Sequence, residues 1–356
     1  MYVALPRNSY LTLTYDPSQL ADGIGAQLDR SWHIYSCAKT FNLGFLFTPI
    51  EDIVYHPLDH WKDQSEKTDF LREVNAKFAI PSDCPASFHT VKTYPALTKR
   101  LLFQNYFQSL FFRRTILIRT IEIHTWINPT YIQIDFGIKA RKQSAMGCSV
   151  VAHIRNAQPI LGVEQRRNLD ITYYLTLLEV IIEGLRRVRT PYTVTILTDH
   201  PQSDLVIPIE LIDLKHLPML HLSADSLAQS KIEIKGFDIQ QQYFPSDLNV
   251  KVLHGGNPLD AFDIMAAADF LIMSRSKFSN VGGYLNSKGK VIMPPEVGDG
   301  VIPRNWIPAK KFIKIKSDWK LSKHPTLTIL KKTRIIRWTV AILRIPIKSL
   351  QVLRRA

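Results

Sequence analysis

The sequence predicts an α/β fold made of two Rossmann-like units. Three observations carry that reading. Apolar, strand-like runs alternate with amphipathic helical runs along most of the chain. Polar loops holding glycine, serine or a charged residue follow several of those strands directly. A polar stretch at residues 137–147, GIKARKQSAMG, reads as a linker and divides the pattern in two.

The first unit opens with YLTLTY, residues 10–15, whose alternation is that of a strand. The loop DPSQLADGIGAQ follows, and LDRSWHIYSCAKTF then reads as a helix, with Leu28, Trp32 and Tyr35 near helical spacing. FLFTPI is the next short strand. Residues 57–100 are polar and helical in places. Residues 101–136 alternate apolar patches with Arg113, Arg114 and Arg119, and ILIRTIEIHTWI has strong strand propensity.

The second unit begins at SVVAHIR. The segment ITYYLTLLEVIIEGLRRV places Tyr174, Leu177, Leu178, Ile181 and Leu185 on one helical face. TVTILTDH is a strand ending in Asp199. DAFDIMAAADFLIM runs from helix into strand, SRSKFSNVGGYLN is a polar loop entering a helix from about Ser279, and KVIMPP is a further strand. Strands that alternate with helices imply a parallel sheet. The expected division is residues 1–145, residues 146–309 and a basic tail at residues 310–356.

The 356 residues are enough for two cores, and 46% hydrophobic with 21% charged residues is globular composition. Cys37, Cys84 and Cys148 are odd in number and widely spaced, which fits a reducing compartment and offers no disulfide or metal framework. No uninterrupted apolar run is long enough to span a bilayer, and MYVALPRNSY lacks the apolar core of a secretory signal. The expected location is therefore cytoplasmic.

The net charge of +14 is uneven. The last 47 residues hold 14 Lys plus Arg against one acid, Asp318, so the rest of the chain carries only +1. The basic balance belongs to the tail and is poor grounds for nucleic-acid binding by the main fold. The tail, ILKKTRIIRWTVAILRIPIKSLQVLRRA, mixes Trp338 and aliphatic residues with spaced Lys and Arg, and Pro346 kinks it. It reads equally as a segment lying on anionic lipid at the inner face of a membrane and as a helix packed on the first unit.

In doubly wound sheets, ligands bind beyond the carboxyl ends of the strands. Three polar clusters fall at such ends: His153 with Arg155, Thr198 with Asp199, and Ser274, Arg275, Ser276 and Ser279. The third precedes a helix, whose first N–H groups favour phosphate oxygens. Arg155 would add a bidentate donor. Asp199 suits the ring N–H and amino group of a guanine, or equally a turn. The serines suit phosphate, or equally a helix cap. The loop Asp22–Gln27 carries Gly23 and Gly25 between strand and helix. It permits close backbone approach but lacks the third glycine of a dinucleotide fingerprint. The sequence holds no D-x-D pair and no metallo-hydrolase, nucleophile-elbow or Walker motif, and His33, His56, His60 and His89 lie at no ligand spacing.

Together these clusters resemble the fucosyltransferase superfamily of α1,2-, α1,6- and protein O-fucosyltransferases. DGIGAQ resembles the family's G-x-G-N-Q loop, AHIRNAQ its H-x-R-R-x-D motif and ILTDHP its T-D-D-P strand end. AFDIMAAADFLIMSRSKFSNVGGYLNSKGKVIMPP resembles the helix, strand and S-x-S-x-F/W-S region. The resemblance implies a GT-B-like arrangement, two Rossmann-like domains facing each other across a cleft, with the acceptor on the first and the donor on the second. It implies inverting transfer of fucose from GDP-fucose to a glycan, with no metal and no other cofactor. Carried over, Arg155 is the catalytic residue, and Gly23, Gly25, His153, Asp199, Ser276 and Ser279 bind the donor. The expected partners are a nucleotide sugar, a glycan acceptor and an anionic membrane surface, but no nucleic acid. Asn156, Gln158 and Ala26 stand where the family has Arg, Asp and Asn. Those departures leave open another nucleotide sugar, or a non-catalytic nucleotide-sugar-binding protein on the same fold. Arg166 and Arg167 are candidate replacement cations, and Asp22 and Asp29 are candidate bases.

Overall fold

Two all-parallel sheets carry the chain, each with its helices packed alongside. The computed structural model describes residues 8–17, 23–53, 64–82, 91–110, 114–134, 136, 147–155, 169–199, 205–208, 231–234, 250–295 and 301–313.

The first half contains β1 (Asn8–Tyr15), α1 (Ile24–Thr40), β2 (Leu43–Leu46), α2 (Gln64–Phe78), β3 (Val91–Leu97), α3 (Lys99–Ser109) and β4 (Arg114–Ile121). Its strands lie in the order β2-β1-β4-β3. The second half contains β5 (Cys148–Ile154), α4 (Ile171–Arg187), β6 (Tyr192–Thr198), β7 (Leu205–Pro208), β8 (Lys231–Ile234), β9 (Val250–His254), α5 (Pro258–Ala266), β10 (Phe270–Ile272), α6 (Lys277–Leu285), β11 (Lys290–Met293) and β12 (Trp306–Pro308). Six of these strands form one sheet, β12-β11-β10-β5-β6-β9, while β7 and β8 pair antiparallel with each other.

The α/β alternation and the parallel sheets match expectation, with local differences. Helix α1 starts at Ile24, a turn before LDRSW, because Gly23 takes the cap position and Gly25 and Ala26 are accommodated in the first turn. FLFTPI is strand only through Leu46, and ILIRTIEIHTWI only through Ile121, after which His124–Trp126 and Pro129–Ile132 turn as short 3-10 helices. Propensity describes a preference, and pairing decides where a strand ends. The apolar patches after residue 101 belong partly to α3, capped by the Thr98 hydroxyl on the Leu101 N–H. In α4 the predicted stripe Tyr174, Leu177, Leu178, Ile181 and Leu185 is buried. The linker before Gly147 and the tail beyond Ile313 lie outside the described residues, as does Cys84.

The halves are joined along α1 and α6. A single apolar cluster runs from Leu11, Leu13 and Trp32 in the first half to Phe262, Met265, Tyr284 and Trp306 in the second. Trp32 stacks on Phe136 at 5.0 Å and meets Phe78 edge-on at 5.7 Å and Tyr284 at 6.5 Å. Such ring pairs contribute about 0.5–1.5 kcal/mol each beyond the area they bury. Polar ties cross the same seam: Lys77 Nζ to Asp263 Oδ1 at 2.6 Å, Gln133 Nε2 to Asn305 Oδ1 at 2.9 Å, and the Val301 N–H to His33 Nε2 at 3.3 Å.

The tightest point is Gly25. A Cβ there would lie 2.5 Å from Phe278 Cα and 2.7 Å from its nitrogen. Backbone cannot swing aside as a side chain can. Gly25→Ala is therefore expected to destabilise the fold by about 1–3 kcal/mol, the usual range for overpacking. Gly23→Ala, where a Cβ meets nothing within 4 Å, is expected to stay within about 0.5 kcal/mol. Urea unfolding of the two variants checks the contrast, and equal losses would mean that α1 and α6 do not approach this closely.

Candidate functional site

Parallel strands send every following helix back from the same edge. Helix α1 follows β1, α4 follows β5, α5 follows β9 and α6 follows β10, so each helix begins at the carboxyl edge of its own sheet. The Gly25–Phe278 contact brings the first turns of α1 and α6 together. Two helix N-termini from different sheets thus meet at one place, and each presents partial positive charge there.

The strand register builds the rest. Ile154 pairs with Thr198, so the next residues, Arg155 and Asp199, fall side by side beyond β5 and β6. Arg155 Nε lies 3.8 Å from Asp199 Oδ2, and both side chains keep about one fifth of their surface exposed (19% and 18%). Their charges are accessible to a ligand and partly offset each other. The structure brings together Arg155, Asp199, His153, Ser276 and Ser279, all at the end of the second sheet.

His153 and the serines form a closed network behind this pair. His153 Nδ1 lies 2.6 Å from Ser279 Oγ and 3.0 Å from Ser274 Oγ. Ser276 Oγ caps α6 by accepting from the Ser279 N–H at 3.0 Å, and also pairs with Ser274 Oγ. Ser279 Oγ accepts from the Ser274 N–H at 3.1 Å. All four side chains are buried. Burial pushes the His153 pKa down to about 4, with Arg155 acting in the same direction and Asp199 against it. At neutral pH the imidazole is uncharged. The strand end therefore offers one cation, Arg155, and not the two that the H-x-R spacing suggests. The serines orient the start of α6, and Ser276 Oγ satisfies one of its first-turn N–H groups, that of Ser279.

The two glycines separate. Gly23 is exposed at the α1 cap with open space about it, whereas Gly25 is consumed by packing on Phe278. Ala26, in the next position, is partly buried. Asn156, Gln158, Arg166, Arg167 and Asp22 lie outside the described residues.

Asp29 does belong to the seam, in company that the sequence did not reveal. Lys277 Nζ stands 2.9 Å from Asp29 Oδ2, and Asn280 Nδ2 is 3.4 Å from Oδ1. His33 Nε2 accepts from Val301 N–H, so the proton of the neutral ring sits on Nδ1, 2.5 Å from the Asp29 carbonyl oxygen. Burial lowers the His33 pKa as well. With 2% exposure and a lysine over it, Asp29 ties α1 to α6 and is screened from an acceptor. A second buried acid, Asp16, lies at the end of β1 against Arg119 Nε at 3.3 Å. Strand alternation around YLTLTYD was the only sequence signal that could have placed it. Among the described residues no group of three or more His, Cys, Asp or Glu could hold a metal ion, and no helix is long and apolar enough to cross a membrane.

His153 makes the site pH-sensitive with a definite sign. Its folded pKa lies below the unfolded value near 6.5, so the unfolded chain binds the proton first. Its contribution is complete above pH 6.5 and declines as pH falls toward 4. His153→Gln removes that dependence. Between pH 6.5 and 4, wild type is expected to lose about 2–3 kcal/mol more stability than the variant in urea unfolding. Parallel profiles for the two proteins would contradict a buried neutral imidazole.

No family model matches the chain, and no curated protein matches it. Among solved structures it is similar to POFUT1 in complex with GDP, at 12% identity and a TM-score of 0.37, covering 85% of this chain and 99% of that one. It is similar to the heptosyltransferase WaaC of E. coli with ADP-2-deoxy-2-fluoro heptose, at 10% identity and a TM-score of 0.35, covering 86% and 99%. It is also similar to a glycosyl transferase family 9 structure from Veillonella parvula, at 10% identity and a TM-score of 0.37, covering 95% and 99%.

Proposed function

We propose that this chain is a glycosyltransferase that binds a nucleotide-diphosphate sugar at the carboxyl edge of its second sheet. One observation carries the proposal: Arg155, Asp199 and the N-terminus of α6 converge there, with the N-terminus of α1 brought against them by Gly25. An anion fits a site made of an arginine and helix-end amides. The first half is the acceptor side and the second the donor side. Residues 1–145 and 146–309 form the two domains, and residues 310–356 a peripheral basic tail.

The favoured donor is GDP-fucose, transferred with inversion to a glycan hydroxyl without a metal. The acceptor oxygen forms a bond to the anomeric carbon as the bond from that carbon to the diphosphate oxygen breaks. The acceptor proton leaves to a base, and the electron pair goes to the nucleotide. Charge therefore develops on the diphosphate, where the Arg155 guanidinium and the α6 amides stabilise it. Asp199 takes the guanine or ribose edge. His153, Ser276 and Ser279 act by holding the start of α6 in place. Gly23 lines the cleft from the first half.

A second reading is a nucleotide-sugar-binding protein without turnover. Asn156, Gln158 and Ala26 favour it, as does the engagement of Asp29 with Lys277. In calorimetry with EDTA present, GDP is expected to bind more tightly than UDP or ADP, and Arg155→Ala is expected to weaken it by about 1.5–3 kcal/mol. Absence of GDP binding would exclude the fucosyl donor. Binding without product over a panel of donors and acceptors would select the second reading.

The tail carries the proposed location, cytoplasmic and peripheral at the inner membrane face, and no nucleic acid is a proposed partner. The full chain is expected to sediment with phosphatidylserine vesicles in a salt-sensitive way, and the chain ending at residue 329 is expected to remain in solution. Equal sedimentation of both would place the attachment elsewhere.

A further inference from the structure

The six strands of the second sheet lie side by side as β9-β6-β5-β10-β11-β12. Numbered in chain order within this sheet, they read 3-2-1-4-5-6, the arrangement of dinucleotide-binding α/β domains. In that arrangement the ligand crosses the sheet edge at the crevice between the first and fourth strands, here β5 and β10. An acid that follows the second strand takes the ribose. Asp199 stands in that position, one residue beyond β6. A nucleoside laid from β5 past Asp199 puts its base over the end of the third strand, β9.

The contacts at that end are suited to a base. Thr198 pairs with His254, and the pairing continues one step further, because the Gly255 N–H donates to the Thr198 carbonyl at 2.8 Å. Gly255 is thus fixed against the strand end that carries Asp199. Gly256 follows, and the two glycines take positive φ, 64° and 101°. Both are partly exposed. A Cβ on Gly256 would meet nothing within 4 Å, so open space lies over bare backbone. The far end of the loop is held as well, since the Asn257 side chain caps α5 by accepting from the Leu259 N–H at 2.9 Å. Turn formation does not account for both glycines. Asparagine tolerates a φ near 64°, so the turn by itself does not require glycine at 255. Two residues in a row without side chains leave peptide planes that a flat ring can approach to contact distance.

We propose that Gly255 and Gly256 form the nucleobase platform of the donor site, with Asp199 on the ribose and Arg155 on the diphosphate. This rests on the reading of this edge as a nucleotide-sugar site. The base lies against the β9–α5 loop, and a side chain on that loop displaces it without reaching the phosphates.

The test is calorimetric titration of GDP, UDP, ADP and inorganic pyrophosphate into wild type, Gly256→Ala and Gly255→Asn, with melting temperature as the check on folding. A side chain at φ 101° is strained whatever the space around it, so Gly256→Ala is expected to melt earlier. Gly255→Asn keeps a backbone conformation open to asparagine and serves alone if the first variant does not fold. Each folded variant is expected to bind the nucleotide that wild type prefers about tenfold or more weakly, and pyrophosphate within about twofold of wild type. Unchanged nucleotide affinity in the folded variants would overturn the platform and leave the nucleotide site standing. Equal losses of nucleotide and pyrophosphate would assign the loop to the phosphates and overturn the platform as well. Wild type that binds none of the three nucleotides, with or without pyrophosphate, would overturn the nucleotide reading and the platform with it.

Discussion

The close approach of α1 to α6 is the constraint on which the candidate site depends. Gly25 lies against the backbone of Phe278, and no side chain could occupy that position without moving one helix. Because each helix starts at the carboxyl edge of its sheet, this contact brings the starts of two helices from different sheets together. The positive ends of two helices then share one space. The polar seam behind the contact follows from it. Asp29, one turn beyond Gly25, comes within reach of Lys277 and Asn280 in the first turn of α6. The aromatic bridge from Trp32 to Tyr284 needs the same separation.

Burial shapes the chemistry at the strand ends as much as residue type does. A histidine two residues before an arginine looks like a second cation. Once enclosed with Ser274 and Ser279, it becomes a neutral hydrogen-bonding strut for the start of α6. The serines act likewise, satisfying each other and the helix cap. What remains for a ligand is backbone amide and guanidinium, groups that keep their charge or dipole at any pH in the physiological range. An anionic ligand would be held by groups that do not titrate, on a scaffold stabilised by one that does.

Much of this was legible in the residues themselves. The alternation in YLTLTY and TVTILT, and the stripe Tyr174, Leu177, Leu178, Ile181 and Leu185, are local signals, and they marked β1, β6 and α4 well. The polar residues after β5, β6 and β10 were readable as a group because parallel sheets put their ligands at those ends. Helix α1 was harder. Gln27, Asp29, Ser31, His33, Ser36 and Thr40 are polar, yet all are buried. The helix is clasped between its own sheet and α6. Ser36 and Thr40 donate to main-chain carbonyls one turn back, which satisfies them inside.

The sequence alone determined which residues stand at the strand ends and that the strands run parallel, because both follow from short-range periodicity and the need to connect strands through helices. Tertiary structure decided the rest. It gave Gly25 to packing and left Gly23 exposed, made His153 neutral, and set Asp29 under Lys277. Those outcomes depend on the register of strands far apart in the chain and on the distance between two helices. Neither quantity is encoded in the spacing of neighbouring residues.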